Sequence, residues 1–281
     1  MLLRFLASTL CLFAMANAAF SQTANTSPIY ELRSYVVEPG RQADTLKLIS
    51  EHGIPFMSKH GIELVGVWTP LDAKDERVFT MVLHKDKATG SAAWATFQND
   101  TGWKEAIQKS IVDGKKPVKS FEPTFLSVND YSPSLDVKQV GNRVFELRTY
   151  VATKGNLAAL NNRFKDHTLK LFGKYGMTNV VYCSVLAGET QTAAKMLEAL
   201  SPIGDATAEI DSNLPATGNS LVYFLAHQTR DGAKDSFKKF GADEDWKKAL
   251  KGSEAAAGGP LTVSKGVKSL FLTPAAFSPI K

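Results

Sequence analysis

Two short stretches carry the same chemically capable residues: "YELRSY" at 30–35 and "FELRTY" at 145–150. Each alternates, so in a strand Glu31, Arg33 and Tyr35 share one face, and Glu146, Arg148 and Tyr150 share the matching face of the second stretch. A guanidinium is a planar fork suited to a carboxylate or carbonyl oxygen, and a tyrosine hydroxyl adds a donor. These six residues are the candidate ligand-binding set. The structural alternative is an ion-pair ladder that fixes how two sheets meet. Buried charges need partners, and Glu31 with Arg33 and Glu146 with Arg148, or crossed pairs between the stretches, would neutralise one another.

Proton chemistry asks for a group that titrates near neutrality. His84 and His227 end the β-rich runs "RVFTMVLHK" and "LVYFLAHQ", where they could reach a pocket mouth. With Tyr35 and Tyr150 they are the candidate catalytic residues. No carboxylate lies at triad or metal-ligand spacing from either histidine, so no metal is expected. No cofactor is expected either, haem ligated by His84 or His227 being the alternative. His52 and His167 fall on the apolar stripes of two predicted helices and read as satisfied core residues. Cys183, beside Val180 and Val181, reads as a small buried hydrophobe. H-E-x-x-H, C-x-x-C and G-x-S-x-G are missing, and "AAAGGP" at 255–260 lacks the lysine and hydroxyl of a phosphate loop. Trp68, Trp94, Trp103 and Trp246 sit in apolar periodic contexts, and "WKEA" and "WKKA" are expected to anchor a helix to a sheet.

The elements that must position these residues come in two copies. A shift of 115 aligns Gly40 with Gly155, His52 with His167 and "KHG" (59–61) with "KYG" (174–176). Further on the shift is 143, pairing His84 with His227, Phe97 with Phe240 and "WKEA" with "WKKA". Matches in one order along two half-chains are an internal duplication. The growth in shift places 28 extra residues in the second copy, within an insertion at 187–219. There "TQTAAKMLEAL" predicts a short helix capped by Thr190, followed by a Pro- and Gly-rich loop.

Each copy reads as strand, helix, strand, strand, helix, strand, the order of a ferredoxin-like sandwich with one sheet face bare. The fold class is therefore α+β: two tandem ferredoxin-like (βαββαβ) domains packed sheet to sheet as an intrachain α/β barrel. The first domain is expected at 29–131, a linker at 132–142 and the second domain at 143–281. The polar face of Glu31, Arg33 and Tyr35, with its counterpart, is expected to look into the barrel. Exposed strand edges could pair between chains, which would give a homodimer.

Residues 1–18 have the small basic start (Arg4), apolar run (Phe5 to Met15) and small-x-small ending (Ala16-Asn17-Ala18) of a secretory signal peptide, followed by a linker at 19–28. The apolar run is short of the roughly 20 residues of a bilayer crossing, so no stable membrane anchor is expected after cleavage, and the protein is expected in the periplasm or secreted. Loss of that segment removes Arg4 and Cys11 and leaves Cys183 without a disulfide partner. The net charge of +5 is spread along the chain, which excludes a nucleic-acid footprint.

The stretches "YELRSYVVEPG", "FELRTYVATKG" and "LVYFLAHQTRDGAKDSFKKFGADEDWKKAL" resemble the NIPSNAP family, within the dimeric α/β-barrel superfamily. The last is the more specific, with its strand, histidine, aromatic-rich helix and "AD-x-x-W" turn. The first copy has "NDTGW" (99–103) in place of that acidic turn. The resemblance implies the barrel fold and no settled reaction. With no strong catalytic motif, the expected role is binding of a small ligand or protein partner. The alternatives are a cofactor-free oxygenase or isomerase acting in the barrel interior, and a haem-binding protein.

Overall fold

Alternating, β-rich sequence forms the strands in the order the two copies predict, and apolar-striped sequence forms the helices between. The computed structural model describes residues 28–135, 141–186, 193–203 and 217–281. The predicted signal peptide, Thr190 and most of the insertion lie outside the described residues. The first copy runs β1 (Ile29–Val37), α1 (Gln42–Leu48), a π-helical turn (Ile49–Gly53), α2 (Ile54–Lys59), β2 (Glu63–Pro70), β3 (Val78–His84), α3 (Lys87–Asn99), α4 (Thr101–Lys109) and β4 (Val118–Val128). The second runs β5 (Val144–Ala152), α5 (Leu157–Arg163), a π-helical turn (Phe164–Thr168), α6 (Leu169–Lys174) and β6 (Thr178–Val185). It continues through α7 (Ala193–Leu200), β7 (Ser220–His227), α8 (Arg230–Ala242), α9 (Glu244–Ala257) and β8 (Thr262–Pro274).

The strands close into one barrel in the order β1-β3-β2-β8-β5-β7-β6-β4. The halves meet at two short antiparallel seams, Trp68–Pro70 against β8 and Leu126–Val128 against β6. This is the expected pair of ferredoxin-like units closed on each other. Closure gives each strand two neighbours, although the two seams pair only three residues each and leave the rest of β4 and β6 unladdered on that side.

The interior is apolar and drawn from both copies, with Leu32, Trp68, Phe79, Phe145, Leu147, Phe224 and Leu272 in one buried cluster. Trp68 lies 5.7 Å from the Phe145 ring and 5.2 Å from Phe224, tying the halves together across the seam. Gly66 makes this possible, because a Cβ there would overlap the indole. The insertion contributes as well. The described part of its helix, α7, places Met196, Leu197 and Leu200 in the same cluster. Its last carbonyls, which no helical N–H can reach, are held by Arg77 of the first copy through the Ala199 oxygen at 2.8 Å and the Ser201 oxygen at 2.6 Å.

Helices cover the outer face of each half. In both, the first helix passes through a π-helical turn, which adds a residue to that turn and rotates the helix face. That rotation carries His52 and His167 to the exposed side, against the expectation that both are core residues. The break in the second helix is an acidic cap in both copies. Asp243 accepts from the Asp245 and Trp246 amides, and Asp100 from those of Gly102 and Trp103, so "NDTGW" keeps the turn. Cys183 is buried, and burial pushes its thiol well up.

Candidate functional site

The alternation that defines the polar face of β1 is real, but that face points the other way. Tyr30 and Leu32 belong to the barrel interior cluster, whereas Glu31, Arg33 and Tyr35 lie outside the barrel beneath α3 and the β4 side chains. Glu146, Arg148 and Tyr150 lie likewise beneath α8. The expected interior site is corrected accordingly. Eight enclosed strands offer a charge nothing but other side chains to pair with, while the helix side brings an indole N–H, hydroxyls and a route to water.

In the first half Glu31 is fully buried and holds three donors. Arg33 Nε donates to Oε1 at 2.5 Å, and the Trp94 indole N–H donates to Oε2 at 2.7 Å. His84 Nε2 lies 2.8 Å from Oε2. His84 is thus packed behind the carboxylate, 3% exposed, and does not reach a pocket mouth. Gly90 lets α3 close on it, since a Cβ at that position would come within 2.6 Å of the imidazole Cγ. The pairs form within each copy, not across halves.

The second half repeats the carboxylate–histidine contact at 2.9 Å between Glu146 Oε2 and His227 Nε2, and His227 is equally buried. Its arginine is used differently. Arg148 donates through Nη1 to Glu146, through Nε to the Tyr223 hydroxyl at 2.8 Å and through Nη2 to the Tyr150 hydroxyl at 3.0 Å. Every nitrogen of that fork is occupied. Arg33 spends only Nε, and its two terminal nitrogens have no protein partner among the described residues. The Arg33 fork lies 3.5 Å above the Trp94 ring, with Phe121 4.6 Å away on β4.

Arg33 lines a cavity of about 540 Å³ between the sheet and the helices of the first half. Its walls are Leu48, Ile49, Met57, Trp94, Phe97 and Trp103, its floor holds Arg33, Tyr35 and Thr80, and exposed Lys116 and Lys119 stand at its rim. The size and apolar character are those of a small-molecule site. Among the described residues no Asp, Glu or His lines it. Sequence reasoning named Arg33 and Tyr35 but missed Thr80, Trp94 and Phe121. The groove of about 1110 Å³ along α5, α6 and α9 in the second half is shallower chemistry, lined by exposed His167, Lys170 and Asp166 and remote from Arg148.

Burial alone would raise the Glu31 carboxyl, but the His84 hydrogen bond and the charge and hydrogen bond of Arg33 outweigh it and hold it below the ordinary value of 4.5. Glu146 is lowered in the same way, burial being overcome by His227, Arg148 and Ser269. A carboxyl depressed in the folded state stabilises fully above its unfolded value and loses that contribution as pH falls through the folded one. Urea stability is therefore expected to fall steadily below about pH 4.5, and a Glu31→Gln/Glu146→Gln variant to start lower at pH 7 and decline less steeply. Equal slopes for both proteins would remove the two carboxyls from the acid response.

Comparison with known proteins follows the same division. Residues 30–133 match the NIPSNAP family model, so the match falls on the first copy and not on the second-copy stretch that resembled the family more specifically. Among solved structures, an anthrone oxidase-like protein is 10% identical with a TM-score of 0.55, over 92% of this chain and 95% of its own. A monooxygenase candidate from Lactobacillus acidophilus is 10% identical with a TM-score of 0.51, over 88% and 94%. A NIPSNAP-like domain protein from Burkholderia xenovorans is 18% identical over 40% of this chain and 93% of its own, with a TM-score of 0.35. At these identities the first two share the fold alone. No curated protein matches the sequence.

Proposed function

We propose, for a chain whose residues 30–133 are a NIPSNAP-family domain, that its first half is an exported small-ligand binding site. The ligand has an apolar body, taken by the cavity under α1 to α4, and an oxygen at one end, taken by Arg33. One observation carries the reading: Arg33, stacked on Trp94 and with two terminal nitrogens that have no partner among the described residues, lines an apolar cavity. A guanidinium so placed gains most from a charge-assisted hydrogen bond to something the protein does not itself supply. The oxygenase or isomerase alternative has less support. Its proton carriers, His84 and His227, are each bound to a buried glutamate and neither lines the cavity.

The test uses protein recovered from the exported fraction, where a mature N-terminus at Ala19 is expected and a retained Met1 would overturn export. Hexanoate and 4-methylphenol are titrated by calorimetry and tryptophan fluorescence, since Trp94 lies in the wall. At least one is expected to bind and to weaken about tenfold in Arg33→Lys, which keeps the charge but loses the fork. If neither binds, or if Arg33→Lys binds as well as the native protein, the site is not this one.

A further inference from the structure

The duplication supplies an internal template for what the cavity holds. In the first half Thr80 lies opposite Arg33 across the β1–β3 pair, and in the second Tyr223 lies opposite Arg148 across β5–β7 in the same register. Thr80 and Tyr223 are equivalent positions under the shift of 143. The Tyr223 side chain fills the space that Thr80 leaves open. Its ring stacks on Tyr182 at 4.9 Å and meets Phe164 at 5.2 Å and Tyr150 at 5.5 Å. The first-half counterparts are Val67, Ile49 and Tyr35, and the last two line the cavity. Ile49 and Thr80, smaller than their counterparts, border the open space, and Val67, paired with Thr80 on β2, supplies no ring.

The polar end of the template is equally definite. The Tyr223 hydroxyl accepts from Arg148 Nε at 2.8 Å, where the first-half fork has nitrogens to spare. Thr80, at the end where the template carries only the Tyr223 Cβ, lines the cavity, is 2% exposed and has no side-chain hydrogen-bond partner among the described residues.

We infer that the ligand is a single-ring phenol, seated in the first half where the Tyr223 side chain sits in the second, its oxygen accepting from Arg33 and its far end over Thr80. This rests on the cavity being a ligand site, as proposed above. The aromatic walls favour a flat ring over a flexible chain because an aromatic pair gains beyond its buried area while a chain loses rotamer freedom on binding.

The probe is 4-methylphenol, which is the tyrosine side chain itself, against hexanoate and cyclohexanol as non-aromatic partners of similar size. In the native protein 4-methylphenol is expected to bind at least tenfold more tightly than either, with one site per chain. Thr80→Tyr, which supplies the ring covalently, and Ile49→Phe, which copies Phe164, are each expected to remove that binding while keeping the native circular dichroism. Hexanoate binding that depends on Arg33, with 4-methylphenol no tighter, would overturn the phenol and leave the site standing. Absence of binding by all three probes would remove the site as well. Unchanged 4-methylphenol affinity in a folded Thr80→Tyr or Ile49→Phe protein would overturn the placement, and the native affinity ratio decides the ligand class even if neither variant folds.

Discussion

Arg148→Ala is expected to cost about 3–5 kcal/mol of folding stability, the range for removing one partner of a buried ion pair. The guanidinium side chain is 13% exposed and the Glu146 carboxylate 1%. Its removal deletes three donated hydrogen bonds, to Glu146, Tyr223 and Tyr150, together with the stack on Phe237 at 4.5 Å. His227 and Ser269 still reach the carboxylate, which softens the loss without replacing the charge. Arg33→Ala is expected to cost less, since only one donated hydrogen bond goes with it. Urea unfolding at pH 7 measures both, with a melting temperature lower by roughly 10 °C for Arg148→Ala as the thermal counterpart. A loss under about 1 kcal/mol would mean that the second-half cluster is effectively solvated, as exposed pairs are.

Much of the fold was legible because the duplication is written in residue order. The two shifts align elements that the structure then pairs in the same register, Arg33 opposite Thr80 and Arg148 opposite Tyr223. The direction of the polar face was not legible. Ranking two strand faces by polarity presumes that one of them meets water, and here both are buried, one in the barrel and one under helices. Tyr30 and Leu32 fit the sealed interior better than Glu31 and Arg33, whose partners Trp94 and His84 arrive from other elements. The helical stripe through His52 failed for a different reason, because apolar spacing carries no mark of a π-helical turn.

The cavity had a signal in the sequence that polarity alone does not expose. Along the aligned copies Ile49 stands for Phe164, Val67 for Tyr182 and Thr80 for Tyr223, so the first copy is the smaller at three positions. The structure brings all three second-copy rings within 4.9 to 5.8 Å of one another and leaves Ile49 and Thr80 bordering open space. Two copies of one unit that differ in side-chain volume at three adjoining positions, two on the sheet and one on the helix above it, pack to the same density only where other residues compensate.

Tyr223→Thr puts that difference to a direct test, because it gives the second half the residue of the first. Tyr223 is fully buried, and burial pushes its phenol well up, so the neutral hydroxyl occupies the Arg148 fork. Trimming a core aromatic to a small side chain costs about 3–5 kcal/mol, with the upper end reached where neighbours cannot collapse into the gap. Collapse is restricted here. Tyr182 is hydrogen-bonded to Asn179, Phe164 is fixed in the π-helical turn, and Phe172 is fixed in the helix that follows. The Arg148 Nε also loses its acceptor, which adds to the cost. Thr80→Tyr, by contrast, fills space and gives Arg33 an acceptor, so its stability is expected to stay within about 1 kcal/mol of native, overpacking and burial opposing each other. Equilibrium urea unfolding of the two variants should therefore differ by several kcal/mol in favour of Thr80→Tyr. Equal losses would show that the first half has no room for the ring, and the asymmetry between the halves would then be one of sequence without consequence for packing.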